Sequence, residues 1–448
     1  MSQAIDATRI PELSGVISMA LEEARASGAT QAEADCSLQQ GLNVTVRLGE
    51  VETIEYQRDR ALGITVYFNG AKGSASSADL RRDAVRQMVA KACSIARHTA
   101  RDEYAGLADP ADMAREIPDL DLYHPWELTP EQAIAMAKDC EAAGMAVDRR
   151  ITNSEGATLS THRGVRVYGN THGFLAGYPS SSHSISCVLL AQDEQGMQRD
   201  YWYTAARAPG ELDDLEQVGR RAGERAVARL GARQLSTRKA PVLFAADMAR
   251  GFFGHLVSAV RGSSQYRRSS FLLDAAGSQL LPAFVQMRER PHLPRALASS
   301  PFDAEGVTTR DRDLVKDGVL QGYVLGSYSA RKLGLKTTGN AGGIHNLLVE
   351  SNAGLLSPEQ LLRELDRGLY VTEMMGQGVN GVTGDYSRGA SGFWVEGGEI
   401  AYPVHEVTIA GNLRQMYQDV RALGDDVDTH GAIRTGSALV DELTIAGS

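Results

Sequence analysis

The chain has 448 residues, of which 43% are hydrophobic and 23% are charged. This composition is typical of a soluble globular protein, and the length suits two or three domains of roughly 150 residues each. The formal net charge of -10 disfavours binding to nucleic acids, which requires a clustered basic face. The sequence shows neither a run of about 18 apolar residues, as a membrane helix needs, nor a signal-peptide pattern. The four cysteines form no CxxC pair and fit free thiols in a reducing compartment, so we expect a cytoplasmic protein that does not bind membranes.

The first 100 residues carry the pattern of a helix, several antiparallel strands and a second helix. Apolar residues recur at helical spacing over 13–24 and again over 80–95. Between these segments, residues 42–48 and 62–68 alternate apolar and polar side chains, as half-buried strands do. Asn69-Gly70 then predicts a tight hairpin turn. This order of elements indicates an α+β unit.

The middle of the chain begins with a weakly patterned segment. Three prolines interrupt residues 105–126, which we interpret as a connector within an N-terminal α+β domain of residues 1–235. Thr129-Pro130-Glu131-Gln132 has the chemistry of a helix start, with a capping threonine and a proline at the first helical position. Strand patterns and a helix follow, over residues 165–171, 184–191, 198–203 and 215–230.

Residues 236–448 predict a larger, β-rich C-terminal α+β domain. A short apolar strand at 241–244 precedes a helix that runs to about Arg261, with Asp247 as its predicted cap. Glycine clusters follow at 339–343 and 376–392. Their density predicts tight turns whose backbone lies close to a ligand or to another strand.

No motif in the sequence identifies a complete catalytic site. Gly376, Gly378 and Gly381 match GxGxxG, but turn residues follow where a dinucleotide site needs a helix. His405-Glu406 begins like a zinc-binding HExxH motif, yet Ile409 stands where the second histidine belongs. The surrounding segment alternates like a strand, which separates residues that a helix would bring together.

Two other histidines are candidates on local grounds. Gly251, His255 and Ala259 share one face of the predicted helix, which could pack against a neighbouring backbone. A lone histidine there is more often a hydrogen-bonded structural group than a ligand. His345 lies in the loop GGIHN, where it could orient a peptide or hydrogen-bond a turn carbonyl.

Five segments resemble the PmbA/TldD family of modulator-of-gyrase proteins. They are SPFDAEGV from Ser300, KDGVLQGYVLGSYSARKLGL from Lys316, TGNAGGIHN from Thr338, MGQGVNGVTGDYSRGASGFWVEGGEIAYPV from Met375 and TIAGN from Thr408. The likeness is dense from residue 241 onward and looser, but in order, before it. The SYSARKLGL and GGIHN segments resemble the TldE/PmbA branch rather than the TldD branch.

The resemblance implies a subunit that lacks its own zinc site. TldD members carry an HExxxH motif, on which His255 stands at the first histidine, Leu256 at the glutamate and Val260 at the second histidine. A further cysteine ligand of TldD falls near Thr435, and this chain has no cysteine after Cys187. A catalytic zinc needs about three protein ligands and a base for its water. We therefore expect no metal on this chain and zinc on a TldD-type partner subunit.

The same resemblance implies an activity and a substrate. TldD/TldE is a cytoplasmic heterodimeric metalloprotease that cleaves unfolded peptides, including labile antitoxins and the leader peptides of modified peptides such as microcins. Extended peptides commonly add to the edge of a sheet. The candidate cleft residues lie in the glycine-rich loops and are Gly342, Gly343, His345, Asn346, Asp385 and Arg388. For the polar members of this set, holding tight turns together is the alternative.

Two further hypotheses remain open. An autonomous metallopeptidase could draw its ligands from His255, His345 and His405, if these separate segments converge. A homodimeric peptide-binding scaffold would need neither zinc nor a partner. A homodimer of the isolated chain would not by itself decide between the scaffold and the partner subunit.

Overall fold

The structure, a computed structural model, describes residues 4–447 as three β-sheets with helices packed on them. The first sheet is antiparallel throughout, in the order β3-β2-β1-β4-β5-β6. Its strands are β1 (Gln31–Arg47), β2 (Glu50–Phe68), β3 (Ala71–Ser77), β4 (Ile151–Asn170), β5 (Leu175–Asp193) and β6 (Gly196–Ala206). The predicted α+β class is confirmed.

Four helices cover one face of this sheet. They are α1 (Ile10–Ala26), α2 (Arg82–His98), α3 (Pro130–Met145) and α4 (Leu215–Ala228). Alternate residues of β1, from Ala32 to Val46, are buried beneath them, which places all four helices on the same side. The residues between, such as Asp35 and Asn43, form the opposite, polar face of the sheet.

The local signals of this half are confirmed. Thr129 caps α3 in a capping box with Gln132. Asn69 and Gly70 form the hairpin turn between β2 and β3, with φ angles of 50° and 88°. Both angles lie in the left-handed region, which asparagine and glycine tolerate best.

Two smaller sheets form the second half of the chain. Their strands are β7 (Arg238–Phe244), β8 (Val285–Glu289), β9 (Arg312–Lys316), β10 (Val319–Leu320), β11 (Leu347–Ser351), β12 (Gly368–Met375), β13 (Asp385–Glu396), β14 (Glu399–Asn412), β15 (Val420–Leu423), β16 (Ile433–Arg434) and β17 (Ala438–Ala446). One sheet has the order β10-β9-β8-β11-β16, and the other has the order β14-β13-β12-β7-β17-β15. Since β14 also pairs with β17, five strands of the latter sheet close into a ring.

Five helices accompany these sheets: α5 (Ala246–Ala259), α6 (Gly262–Tyr266), α7 (Ser327–Leu333), α8 (Pro358–Leu365) and α9 (Leu413–Gln418). The largest hydrophobic core of the protein lies here and includes the buried side of α5. Among the helices of residues 4–447, none combines the length and the apolar character needed to cross a bilayer.

The structure corrects the prediction that Asp247 caps α5. The helix begins at Ala246, its cap is Ala245, and no side chain bonds to that end. Asp247 lies in the first turn, where its carboxylate accepts a hydrogen bond from the Met248 amide at 3.1 Å. A negative charge in the first turn of a helix is favourable without being the cap.

The segment 105–126 is more ordered than a simple connector. It contains a short 3₁₀ turn (Pro110–Asp112), and Leu107, Leu120 and Leu122 are buried. The Arg331 guanidinium donates hydrogen bonds to the carbonyls of Gly106 and Leu107 in this segment and of Tyr104 just before it. The segment therefore packs between the two halves of the chain.

Candidate functional site

Helix α5 carries the positions at which the family motif would stand. Leu256 and Val260 are both 0% exposed and belong to the largest core. They lie one turn apart, so they share the inward side of the helix. Apolar side chains turned into the core cannot bind a zinc ion or activate water, and the residues at these two positions do not fit a metal site.

The outward side of α5 is a stripe of small and polar residues. It consists of Gly251, Gly254, His255 and Ser258, and exposed Arg261 follows two residues after the helix ends. A methyl group added at Gly251 would meet no atom within 4 Å. The predicted packing of the face Gly251-His255-Ala259 against a neighbouring backbone therefore does not occur at Gly251, and this part of the helix faces open space.

His255 is partly covered but lacks a hydrogen-bond partner at one nitrogen. Its Nε2 is buried without a partner, and its ring meets the Tyr386 ring edge-on with centroids 6.0 Å apart. Burial, together with the nearby Arg388 charge, lowers the pKa of His255. The imidazole is therefore neutral near pH 7 and can still accept or donate one hydrogen bond.

The structure does not bring the three candidate histidines together. His345 is buried, and its Nδ1 lies 3.3 Å from Glu289 Oε1. His405 lies six residues along β14 from Gly411, the residue that pairs with Tyr386. At about 3.3 Å per residue, His405 therefore lies roughly 20 Å along the strand from the place where the Tyr386 ring meets the His255 ring. Within residues 4–447, no group of three His, Cys, Asp or Glu side chains is arranged to hold a metal ion.

His345 and Asn346 serve the structure of their loop. The His345 amide donates to Glu289 Oε1 at 2.6 Å, and Glu289 also accepts from Arg312 and Asn340. Asn346 is completely buried, and its amide bonds to the backbone of Ala298 and Arg290 and to Ser299. Neither residue lines the cavities described next, and both are held within the loop by these hydrogen bonds.

Gly342 and Gly343 line a cleft between the two halves of the chain. Two cavities of about 360 and 620 Å³ adjoin here and share Glu305, Ala341 and Gly342. The smaller one includes Arg261, the residue that precedes α6, and the larger one lies against the polar face of the first sheet. The φ angles of Gly342 and Gly343 are 97° and 134°, which L side chains rarely adopt. Volumes of this size are in the range of ligand-binding clefts.

Three carboxylates, Glu33, Asp303 and Glu305, shape this cleft, and no sequence pattern predicts them as site residues. Burial raises the pKa of Glu33, which accepts hydrogen bonds from the hydroxyls of Tyr67 and Tyr168. Burial and the neighbouring Glu305 raise the pKa of Asp303 to about 6. The only sequence signal for Asp303 and Glu305 was their position in the SPFDAEGV segment.

Asp303 fixes the loop that carries Gly342. Its carboxylate accepts hydrogen bonds at 2.9 Å from the amides of Glu305, Val307 and Ala341. Three amide donors oppose the effect of burial, because they favour the charged form. The backbone of the cleft therefore depends on one buried carboxylate.

Asp385 and Arg388 lie beside His255, away from Gly342. Arg388 Nε donates to the Gly376 carbonyl at 3.1 Å, and exposed Asp385 accepts from Thr383 and Asn412. His255 lies on α5, and Arg261 follows two residues after the end of that helix. The predicted cleft residues thus form two groups that flank the same stretch of helix.

The segment around Thr435 also lies against α5. Ile433 Cδ1 is 3.7 Å from the place where a Gly254 side chain would begin. Thr435 is completely buried, and its hydroxyl donates to the Gly436 carbonyl at 2.9 Å. The segment of Thr435, where the resemblance to TldD members places their cysteine, thus lies next to α5.

Comparison with known proteins covers nearly the whole chain. Three family models match in sequence order: the PmbA/TldA metallopeptidase domain 1 at residues 32–96, the central domain at 123–230 and the C-terminal domain at 237–447. The chain is 51% identical to Metalloprotease PmbA of Escherichia coli O157:H7, over 97% of this chain and 96% of that protein. It is 48% identical to the Metalloprotease PmbA homolog of Haemophilus influenzae, over 98% and 96%.

Solved structures share the fold over the same extent. A protein described as a modulator of DNA gyrase from Bacteroides thetaiotaomicron superposes with a TM-score of 0.93 at 25% identity, covering 98% of this chain and all of that one. The structure of TldE from Thermococcus kodakarensis superposes with a TM-score of 0.85 at 20% identity, covering 96% and 100%. Together, the sequence matches and the shared fold show that this chain belongs to the PmbA/TldD metallopeptidase family.

Proposed function

We propose that this chain is the non-catalytic subunit of a heterodimeric TldD/TldE metalloprotease that cleaves unfolded peptides. The observation that carries the proposal is the burial of Leu256 and Val260 in the core, at the positions of the motif's glutamate and second histidine. His255 alone offers one nitrogen, whereas a catalytic zinc needs about three protein ligands. The zinc and its activated water therefore belong to a TldD-type partner subunit.

In this proposal the chain contributes peptide binding in the cytoplasm. The cleft at Gly342 and Gly343 leaves backbone accessible beside the polar face of the first sheet. An extended peptide can bind there through backbone hydrogen bonds, which carry little sequence preference. Leader peptides of modified peptides such as microcins, and labile antitoxins, are unfolded substrates of this kind.

The test combines activity with metal analysis. This chain, a TldD homologue and their mixture are assayed for cleavage of an unstructured peptide, and the zinc content of each purified subunit is measured. We expect cleavage only in the mixture and zinc only on the TldD subunit. Stoichiometric zinc and chelator-sensitive cleavage by this chain alone would overturn the proposal.

Two close relatives are named metalloproteases, which favours one second candidate, an autonomous metallopeptidase. That activity would have to use His255, because it is the only motif residue that this chain retains. Cleavage by the isolated chain should then be lost in His255→Ala and retained in Ser258→Ala, a substitution on the same exposed side of α5. Under the partner-subunit proposal, neither variant has activity to lose when it is assayed alone.

A further inference from the structure

The cleft at Gly342 carries charges of opposite sign at its two ends. Arg261 lines only the smaller cavity, and its Nη2 lies 3.3 Å from the place where a Gly343 side chain would begin. Glu305 lines both cavities, and Glu33 lines only the larger one, against the first sheet. The cleft therefore runs from a cationic end, just before α6, to an anionic end at the first sheet.

The two charges that share the smaller cavity are not neutralised by the protein. Within residues 4–447, the exposed Arg261 guanidinium has neither a hydrogen bond nor an ion pair. Glu305 Oε2 accepts a hydrogen bond from the Ser327 amide at 2.9 Å, whereas no donor from the same residues reaches its Oε1. Both side chains line one cavity without pairing with each other, so both are available to a ligand.

The backbone of the cleft is also available for hydrogen bonds. Gly342 adjoins both cavities, and its amide and carbonyl have no hydrogen-bond partner among the described residues. Its φ angle of 97° favours glycine, and a side chain there would begin 3.4 Å from Ala304 Cβ. Free backbone donors and acceptors of this kind bind the backbone of an extended peptide.

The charge pattern selects among ligands of suitable size. A phosphate or nucleotide would gain one arginine but would be repelled by the carboxylates of Glu33, Asp303 and Glu305. A cationic ligand would find no use for Arg261. A short peptide with free termini matches both ends of the cleft, because it carries an α-carboxylate at one end and an α-ammonium at the other.

We propose that the cleft binds short peptides by both free termini, with the α-carboxylate at Arg261 and the α-ammonium at Glu305. A guanidinium donates two parallel hydrogen bonds to a carboxylate, and the free Oε1 of Glu305 accepts one from an ammonium group. Gly342 then pairs with the peptide backbone between them. This binding mode rests on the proposed peptide binding and adds that the chain recognises the ends of a peptide, which also fixes the direction in which the peptide lies.

The experiment compares three probes on the isolated full chain by isothermal titration calorimetry near pH 7. The probes are pentaalanine with free termini, its N-acetylated form and its C-amidated form. We expect each blocked probe to bind at least about tenfold more weakly than the free peptide, because it loses one charge-assisted interaction.

Two variants assign each preference to one side chain. Arg261→Gln should bind the free and amidated probes equally and should still discriminate against the acetylated probe. Glu305→Gln should show the reverse pattern. The controls Arg268→Gln and Glu399→Gln make the same changes of charge at exposed positions outside the cleft and should keep both preferences. Thermal unfolding checks that each variant is folded at the temperature of the titration.

Equal affinity of the wild-type chain for all three probes would overturn the inference, and this comparison needs no variant. Binding of none of the probes would overturn it too, as would a variant that loses the preference assigned to the other side chain. The proposed function fails through different observations, namely zinc on this chain and cleavage by it alone. Mass spectrometry of the probes after each titration would detect such cleavage, so the two failures are distinguishable.

Discussion

Leu256 shows how a single buried position limits what this chain can do. Its side chain is 0% exposed within the largest core. Leu256→Glu, which restores the family's acidic residue, would bury a carboxylate without a partner. We expect it to lower the free energy of unfolding by at least about 3 kcal/mol and to create no zinc binding. Urea denaturation and metal analysis would check both expectations.

The matched control for this substitution lies two residues further on the same helix. Ser258 is exposed, so Ser258→Glu should change the free energy of unfolding by no more than about 0.5 kcal/mol. If both variants were equally stable, Leu256 would not be part of the core, and the main argument against a local zinc site would fail.

Asp303 predicts a pH dependence of stability. Its pKa is raised to about 6 in the folded protein, from an ordinary value of 3.8. A raised pKa means that the fold favours the protonated acid. This stabilisation of the fold is fully present below about pH 4 and is lost as the pH rises through about 6, and it amounts to on the order of 3 kcal/mol. The loss should appear in the free energy of unfolding measured in urea between pH 4 and pH 7.

Glu305→Gln isolates this contribution. The substitution keeps an acceptor for the Ser327 amide and removes the charge that raises the pKa of Asp303 together with burial. The fall in stability between pH 4 and pH 7 should therefore be smaller in the variant than in the wild type. Equal pH profiles for the two proteins would refute a coupling between these carboxylates.

At the scale of single residues, the sequence predicted less of the site than of the fold. The motif alignment identified His255, Leu256 and Val260 because a helix fixes their relative positions. The alignment could not distinguish His345 and Asn346, which are buried, from Gly342 and Gly343, which line the cleft. That distinction depends on Glu289 and Ser299, which lie about 50 residues away along the chain. Glu33 was missed because its partners Tyr67 and Tyr168 come from other strands.

At the scale of elements, two helical glycines have opposite roles. Gly251 in α5 has open space around it, whereas a side chain at Gly219 in α4 would begin 1.8 Å from the Cys140 carbonyl of α3. Gly251→Ala should stabilise the protein by about 0.5–1 kcal/mol, because alanine loses less backbone entropy than glycine in a helix. Gly219→Ala should destabilise it by about 1–3 kcal/mol through overpacking. Thermal unfolding of both variants would test these expectations. A change of stability in the same direction for both variants would contradict them.

The element predictions succeeded where local chemistry decides. The Thr129 cap and the Asn69-Gly70 turn were correct because their hydrogen bonds lie within a few residues. The strands proved longer than predicted, and β2 shows the reason most clearly. Its residues 50–61 are exposed on both faces, so no alternation of apolar and polar side chains marks them as a strand. Their extended conformation comes from pairing with β1, which a local pattern does not reveal.

At the scale of the whole molecule, Arg331 links the two halves of the chain. Its guanidinium donates to the carbonyls of Tyr104, Gly106 and Leu107 in the segment between them. Arg331→Ala should lower the free energy of unfolding by about 1–3 kcal/mol, since three partly buried carbonyls lose a charged donor. Limited proteolysis should also cut within residues 104–114 at a higher rate than in the wild type.

Arg268→Ala is the control, because this exposed arginine forms only a surface ion pair with Asp274. Its proteolysis pattern and stability should match those of the wild type. If the Arg331→Ala variant resisted proteolysis as well as the wild type does, the segment would be held by its buried leucines instead.

The first sheet also sets the order in which this chain can fold as it is synthesised. Ala32 and Thr171, which hydrogen-bond at the junction of β1 and β4, are 139 positions apart. At roughly 5–20 residues per second, a ribosome needs about 7 to 28 s to deliver the second residue after the first. During that interval the hairpin of β1 and β2 has left the ribosome, but the inner edge of β1 has no partner. The nascent chain therefore passes through a stage with two open strand edges, and at that stage it is most exposed to aggregation and most dependent on chaperones.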